Sequence, residues 1–400
     1  MAYIYATINK KTLAHICTNK KVSEQFIVNR TKVKMDKLKR WLDPEDELLP
    51  TINQAKDLAN CLHIPFAALY MNPEAIPLTE IPSVKNLRTL FDGHISDNSA
   101  LNIAMIDLLL ERAYLKSLQE ELGVVESERF CPVVPSTNDP VVWATAIRNY
   151  LELEIEKQYK CQSTRQFYLY LREQVEKKGV FVHCFTDVPL DDVRGFAIYD
   201  SETPIIGINE EDHTPAKSFS IIHELVHLYK RESSMCNVMF NHFAMHNEEI
   251  FCNAVAGEVL VPQKALEIIM RNGHYYAPYD VKDIEKIAKK FSVSRDVIIR
   301  RLFDTKMIDE VEYHSYADAF KRDIEQNRAE QRIARQEGRK TGFAQEMSRV
   351  AFDRTSHSVC VALYKGYCEN IYSKRDIANH VRIDQKHIDK FLWEVSKWAN

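Results

Sequence analysis

The sequence predicts an α+β chain that is mainly helical, with a short β-sheet leading into one buried helix and helical units on either side. Three observations predict it. Ser218–Tyr229 carries apolar residues on more than one helical face (Phe219, Ile222, Val226; Ile221, Leu225, Leu228), the pattern of a largely buried helix. Val180–Phe185, Gly195–Tyr199 and Pro204–Ile208, just before it, are short apolar runs with turn residues between them, which read as strands. Elsewhere the apolar spacing is helical.

The first 75 residues read as a compact helical unit. Up to Trp41 it holds ten Lys/Arg against two acids, Glu24 and Asp36, before the acidic turn Asp43–Glu47. Lys32–Leu42 is amphipathic, with Met35, Leu38 and Leu42 on one face and Lys34, Lys37 and Arg40 on the other. Pro50-Thr51 starts a helix at Ile52–Leu62, and Pro65–Met71 is a short closing helix. Pro73, Pro77 and Pro82 make 72–100 a connector. Helices follow at Ile103–Leu122, Trp143–Tyr159 and Thr164–Lys177.

Beyond the central helix, Asn247–Glu258 reads as a second helix and Lys264–Met270 as another. Val281–Phe291, a turn at Ser292-Val293-Ser294 and Arg295–Leu302 form a helix-turn-helix-like passage, which we read as ordinary helical packing rather than a DNA contact. Tyr316–Phe352, rich in Lys/Arg and Glu/Gln, reads as a solvated helix or a hinge. The last 50 residues form a small helical unit with Ile377, Val381, Ile388, Phe391 and Leu392 as its core.

Composition narrows the class. With 400 residues, 45% of them hydrophobic, the chain can bury several cores. A net charge of −4 argues neither for nor against nucleic acid. Nine cysteines without a C-x-x-C pair suit free thiols in a reducing cytoplasm. No apolar run approaches 18 residues and the N-terminus lacks an apolar leader, so the expectation is a cytoplasmic protein with no membrane partner.

The chemistry is concentrated in His223-Glu224-Leu225-Val226-His227. Four residues apart on a helix, His223 and His227 project from one face and can hold one Zn²⁺. Glu224 then stands beside an open coordination position, placed to take a proton from water. Thr214 suits the N-cap of this helix and Pro215 its first position. Ser233 excludes a three-histidine H-E-x-x-H-x-x-G-x-x-H site, so the third ligand lies elsewhere. Glu249 shares a face with Asn253 and Ala256, while Glu248 is turned away by about 100°. Glu249 would complete a His₂Glu set, with Asn253 one turn on to hydrogen-bond a ligand. Glu248 and Glu249 also suit a solvated helix start, and the residues alone leave both readings open. His242 and His246 are loop residues or oxyanion stabilisers, and His246 competes with Glu249 as a ligand. Cys252, one turn from Glu249, is a packing residue or a thiol able to bind the metal.

These segments resemble the ImmA/IrrE family of metallopeptidases. The family's second motif, E-x-x-A-N-x-F-A-x-x-L-L-x-P, is matched by Glu249-x-x-Cys252-Asn253-x-Val255-Ala256-x-x-Val259-Leu260-x-Pro262. Val226, Cys252 and Val255 depart from its usual Gly, Ala and Phe, and none removes a ligand or the base. The resemblance implies zinc, one per chain, on His223, His227 and Glu249, with Glu224 as general base. Three strands running into H-E-x-x-H are the order of a zincin-like core, and Pro204–Ile208 is a candidate edge to which a substrate strand adds.

The N-terminal unit resembles the phage-repressor (XRE-like) helix-turn-helix that often precedes the peptidase, through Leu38-Lys39-Arg40-Trp41, Leu49-Pro50-Thr51, Gln54, Leu58-Ala59 and Ile64-Pro65-Phe66. Lys34, Lys37 and Arg40 are then its DNA-contacting candidates, or the module docks a protein. Ile81-Pro82 with Leu87-Arg88-Thr89-Leu90 is similar to the family's segment leading into the core. The expected layout is a helix-turn-helix at 1–75, connector and helix at 76–140, the zincin-like core at 141–310 and a charged helix with a small helical unit at 311–400. The implied substrate is a helix-turn-helix transcriptional repressor of a mobile element or stress regulon. The alternative is a DNA- or protein-binding regulator, or a toxin–antitoxin component, whose metal site is structural or dormant.

Overall fold

The computed structural model describes residues 4–76, 79–86, 97–123, 129–236, 247–336 and 346–398. Leu87–Leu90, His242, His246, Arg339 and Lys340 lie outside the described residues. The chain divides into two compact units: residues 1–83, 90–116 and 185–193 in one, and the remainder in the other. Among the described residues no helix is long and apolar enough to cross a membrane.

The first unit packs α1 (Lys10–Asn19), α2 (Glu24–Thr31), α3 (Met35–Leu42) and α4 (Ile52–Cys61), closed by a 3₁₀ turn at Phe66–Tyr70. Most of α5 (Ser99–Glu121), as far as Lys116, also belongs to it. Thr51 and Gln54 cap α4 reciprocally as a capping box. Leu13, Ile27, Leu38, Trp41, Leu58 and Leu69 are buried in one apolar core.

The expected helix at Lys32–Leu42 starts later, at Met35. Lys32 takes the left-handed conformation (φ 59°) that closes α2, leaving a three-residue turn before α3. Buried Lys10 reaches the end of α3, where its Nζ donates to the carbonyls of Arg40 (2.8 Å), Asp43 (3.2 Å) and Asp46 (2.5 Å). That cation satisfies carbonyls left unpaired where the helix stops.

The second unit holds β1 (Lys85–Asn86), α6 (Pro140–Tyr150), α7 (Ile155–Lys160), α8 (Thr164–Lys177), β2 (Phe181–Phe185), β3 (Gly195–Ile198), β4 (Ile205–Asn209), α9 (Thr214–Tyr229) and β5 (Ser234–Cys236). After them come α10 (Asn247–Leu260), α11 (Gln263–Asn272), α12 (Val281–Phe291), α13 (Arg295–Asp304) and α14 (Glu310–Gln336). The unit ends with α15 (Met347–Arg354), α16 (His357–Cys368), α17 (Lys374–His380) and α18 (Ile388–Ser396). One predicted helix, Trp143–Tyr159, is two: α6 stops at Tyr150 and Glu152 turns the chain at φ 54° before α7.

The mixed five-stranded sheet has the order β1-β5-β3-β4-β2. Pairing of β3 with β4 and with β5 is antiparallel, and β1 joins β5 in parallel. This corrects the expectation that Pro204–Ile208 is an edge. All five residues of β4 are buried, and it lies between β3 and β2, with Phe181 N–H donating to Pro204 O at 2.8 Å. Among the described residues the edges are β1 and β2.

The C-terminal helices are tied to α8. Buried Glu176 accepts from Ser356 Oγ (2.8 Å), His357 N (3.0 Å), Ser358 N (2.8 Å) and Ser358 Oγ (2.9 Å), so one carboxylate caps the start of α16. Arg165 makes a bidentate contact with Asp353, and Arg172 donates to Asp353 O at 2.8 Å. Ile377, Val381, Ile388, Phe391 and Leu392 are all buried, as their spacing predicts.

Burial, with Arg172 and Lys177 adding repulsion, lowers His357 to about 4. Its unfolded value is about 6.5, so between these pH values the unfolded chain binds more protons. Stability is therefore full above about 6.5 and falls towards pH 4, by ~2 kcal/mol after discounting for partial solvent screening. Urea midpoints followed by Trp fluorescence should show this slope, and His357→Gln should flatten it.

Candidate metal and catalytic site

The site lies where α9 crosses α10 beneath the sheet. α9 packs on α8, α10, β3 and β4, which is why every residue from Ser218 to Tyr229 is buried. The helix starts one residue earlier than expected: His213 takes the N-cap position and Thr214 is the first helical residue. At its far end Tyr229 sits among Phe130, Tyr150 and Trp143, with ring centroids 5.7, 6.0 and 6.2 Å away. Trp143 also takes Phe251 of α10 edge-on at 5.2 Å. These aromatic contacts fix α9 against α6 and α10.

α10 is held at its C-terminal end, where helix carbonyls lack intrahelical partners. Arg148 Nη1 donates to Val259 O (2.6 Å), Gln158 Nε2 to Leu260 O (2.8 Å) and Arg301 Nε to Val261 O (3.0 Å). Arg301 also pairs with Glu258. Because Arg301 lies on α13, the passage 281–304 packs as part of this unit.

Held this way, α10 brings buried Glu249 between the two histidines. His223 Nε2 lies 3.2 Å from Glu249 Oε2, and His227 Nε2 lies 3.3 Å from Glu249 Oε1. The three residues can each aim one ligand atom within 4.8 Å of the others. Neighbouring ligands on a tetrahedral Zn²⁺ bound at ~2.0–2.1 Å are roughly 3.3 Å apart, so the buried N, N, O set fits that ion. Burial pushes the Glu249 carboxyl up, but the His223 and His227 imidazoles outweigh it and hold it well below the usual range.

Glu224, fully buried, stands beside this set. Its Oε2 accepts from Ser234 Oγ at 3.2 Å. Burial raises its carboxyl above the ordinary value, partly offset by His223 and His227. Gly195 on β3 leaves the room it needs, since a Cβ there would stand 3.0 Å from Glu224 Oε1. Neither Ser234 nor Gly195 was found by reading the sequence. Both act across the sheet, and no local pattern links them to Glu224.

Behind the set, the other ring nitrogen of His227 faces Glu248 Oε1 (3.8 Å), Glu232 Oε2 (3.9 Å) and Cys252 Sγ (3.9 Å). Glu248, turned from the Glu249 face, lies near His227 from behind. Together His227, Glu232 and Glu248 form a second, less buried acidic group. Cys252 meets Nδ1 of His227, and burial raises its thiol. Asn253 is buried one turn on from Glu249. The DNA-contacting candidates lie elsewhere, in the first unit: Lys34, Lys37 and Arg40 are exposed, and Arg40 Nε pairs with Asp46 Oδ2 at 2.7 Å.

Residues 175–303 match the family model of the IrrE N-terminal-like domain, Peptidase_M78. The match supports the ImmA/IrrE family and a metallopeptidase of that type, and such a peptidase implies a metal, typically zinc. It runs from the end of α8 to α13 and takes in His223, Glu224, His227 and Glu249. No curated protein matches the chain.

Proposed function

We propose that the protein is a zinc-dependent endopeptidase that cleaves one intracellular protein, a helix-turn-helix transcriptional repressor of a mobile element or stress regulon. The observation that carries the reaction is the buried convergence of His223, His227 and Glu249 with Glu224 alongside. The substrate class rests on the ImmA/IrrE resemblance.

His223, His227 and Glu249 would hold the ion. Bound Zn²⁺ would supply an acidified water and a polarised scissile carbonyl. Glu224 would take a proton from the attacking water and pass it to the leaving amine. Ser234 fixes one oxygen of Glu224 and leaves Oε1 for the proton. Incubating the zinc-loaded chain with candidate repressors and mapping products by mass spectrometry tests this. A single cut that disappears on metal removal supports the proposal, and uncut repressors across the panel count against it.

The first unit supports a second, compatible role in DNA binding. α2, a three-residue turn and α3 have the order of a helix-turn-helix, and Lys34 and Lys37 are exposed at the start of α3. The Arg40–Asp46 pair and the Lys10 clamp make the end of α3 a rigid support. Affinity for duplex DNA should then fall steeply with salt, and Lys37→Glu with Arg40→Glu should weaken it by about tenfold or more. Fluorescence anisotropy at low salt checks this, and no binding there removes the role.

A further inference from the structure

The last two helices are built in a way that peptide hydrolysis does not use. α17 starts on a reciprocal capping box between Ser373 and Asp376 and stops at His380. Arg382 then takes the left-handed conformation (φ 55°), and Ile383 N–H donates back to Ala378 O at 3.0 Å, closing the helix where glycine is usual. Asp384 caps the next stretch, its side chain accepting from Lys386 N at 3.2 Å. A 3₁₀ turn at Gln385–His387 runs directly into α18. The two helices are thus joined by Val381–Asp384, a connection of the length found in DNA-reading helix-turn-helix units. Ile377, Ala378, Val381, Ile388 and Phe391 are buried on the inner side. Arg354 Nη2 donates to Val381 O at 2.6 Å, which anchors the turn from within.

A similar turn occurs at Ser292 (φ 57°) between α12 and α13. There the second helix is consumed by packing, since every residue from Val297 to Leu302 is buried. α18 differs. It packs on α15, α16 and α17 from one side and leaves the other open. Lys386, Lys390, Trp393 and Lys397 recur at helical spacing along that open face, and all are exposed. Trp393 is 63% exposed, with Lys397 Nζ over its ring at 3.1 Å. A large aromatic held in water among lysines packs no core of this chain. It offers a flat apolar surface to sugars and base edges, beside cations for phosphate.

The lysines' own partners are easily replaced. Lys386 pairs with Asp384 (3.0 Å) and Lys390 with Glu346 (2.6 Å), and all four residues are exposed. Such pairs contribute little, and phosphates that take their place also release counterions. Asp389, beside the stripe, is paired with Lys374 at 2.6 Å. Within 371–398 six Lys/Arg stand against four Asp/Glu, so this end is basic in a chain of net charge −4.

We propose that α17 and α18 form a helix-turn-helix that binds duplex DNA, with the Lys386, Lys390, Trp393 and Lys397 face of α18 entering the major groove. At 1.5 Å per residue the stripe is about 16 Å long, enough to cross a groove ~12 Å wide. The site is separate from Lys34, Lys37 and Arg40, and it does not depend on the chain being a peptidase.

The test uses the full chain carrying Lys37→Glu and Arg40→Glu, which removes the first unit's candidates, and a labelled mixed-sequence DNA duplex at low salt, read by anisotropy. Binding should persist in that background. Adding Lys386→Glu with Lys390→Glu should weaken it by at least about tenfold and reduce the slope of log affinity against log salt by about two. Trp393→Ala should weaken it by about tenfold and leave that slope unchanged. Unaltered far-UV circular dichroism and urea midpoints verify that these surface variants are folded. No binding in the starting background, or affinity indifferent to the lysine pair or to Trp393, overturns the proposal. Equal affinity for single-stranded RNA, equally weakened by the same substitutions, would make the face a general polyanion surface and overturn groove binding.

Discussion

Glu224→Gln is expected to abolish peptide hydrolysis, by at least ~10³-fold, while the chain binds zinc as before. The substitution keeps the shape of the side chain and an oxygen that can accept from Ser234 Oγ, so the fully buried pocket is not disturbed. It removes the one group placed to shuttle a proton beside the ligand set. Since burial disfavours the charged form of Glu224, the neutral amide should cost no stability. A structural or dormant metal site predicts the opposite result, because such a site needs only His223, His227 and Glu249. Steady-state cleavage of the mapped substrate, with metal content measured on the same preparation, separates the two.

Glu249→Ala should lower zinc affinity by more than the 10–100-fold typical of losing an outer partner of a ligand, roughly 10³-fold or beyond. It deletes one of three buried ligands and leaves two imidazoles facing each other across the gap. Glu248→Gln, which alters only a group 3.8 Å from the rear nitrogen of His227, should cost about tenfold. Competition titrations with a fluorescent chelator give both affinities. The same ranking should appear in melting temperature, because a ligand that binds only the folded chain stabilises it by mass action. Equal losses in the two variants would move the metal towards the second group, His227, Glu232 and Glu248.

Much of the fold could be read from local pattern. The spacing of His223 and His227, the burial of α9 and the limits of α12 (Val281–Phe291) follow from helical period and caps that adjacent residues supply. The C-terminal core residues were legible for the same reason. Elements whose signal is not local were not legible. Lys32 and Glu152 turn the chain in the left-handed conformation, where glycine would have announced a boundary. Among the described residues β1 and β5 span two and three residues, too few to show alternation. Strand order was the larger loss. β2 lies beside β4 rather than β3, so β4 became interior although three consecutive strands suggested that it was the last, and β5, which follows α9 in sequence, inserts beside β3. The same insertion brings Ser234 to Glu224, a contact that no reading of residues 223–227 contains.

Zinc content of the intact wild-type chain tests the central claim most directly. Elemental analysis after reconstitution and removal of excess metal should find one Zn²⁺ per chain, retained in Glu224→Gln and lost in Glu249→Ala. A wild-type chain that retains no zinc after reconstitution would contradict the claim that His223, His227 and Glu249 form the metal centre of a peptidase.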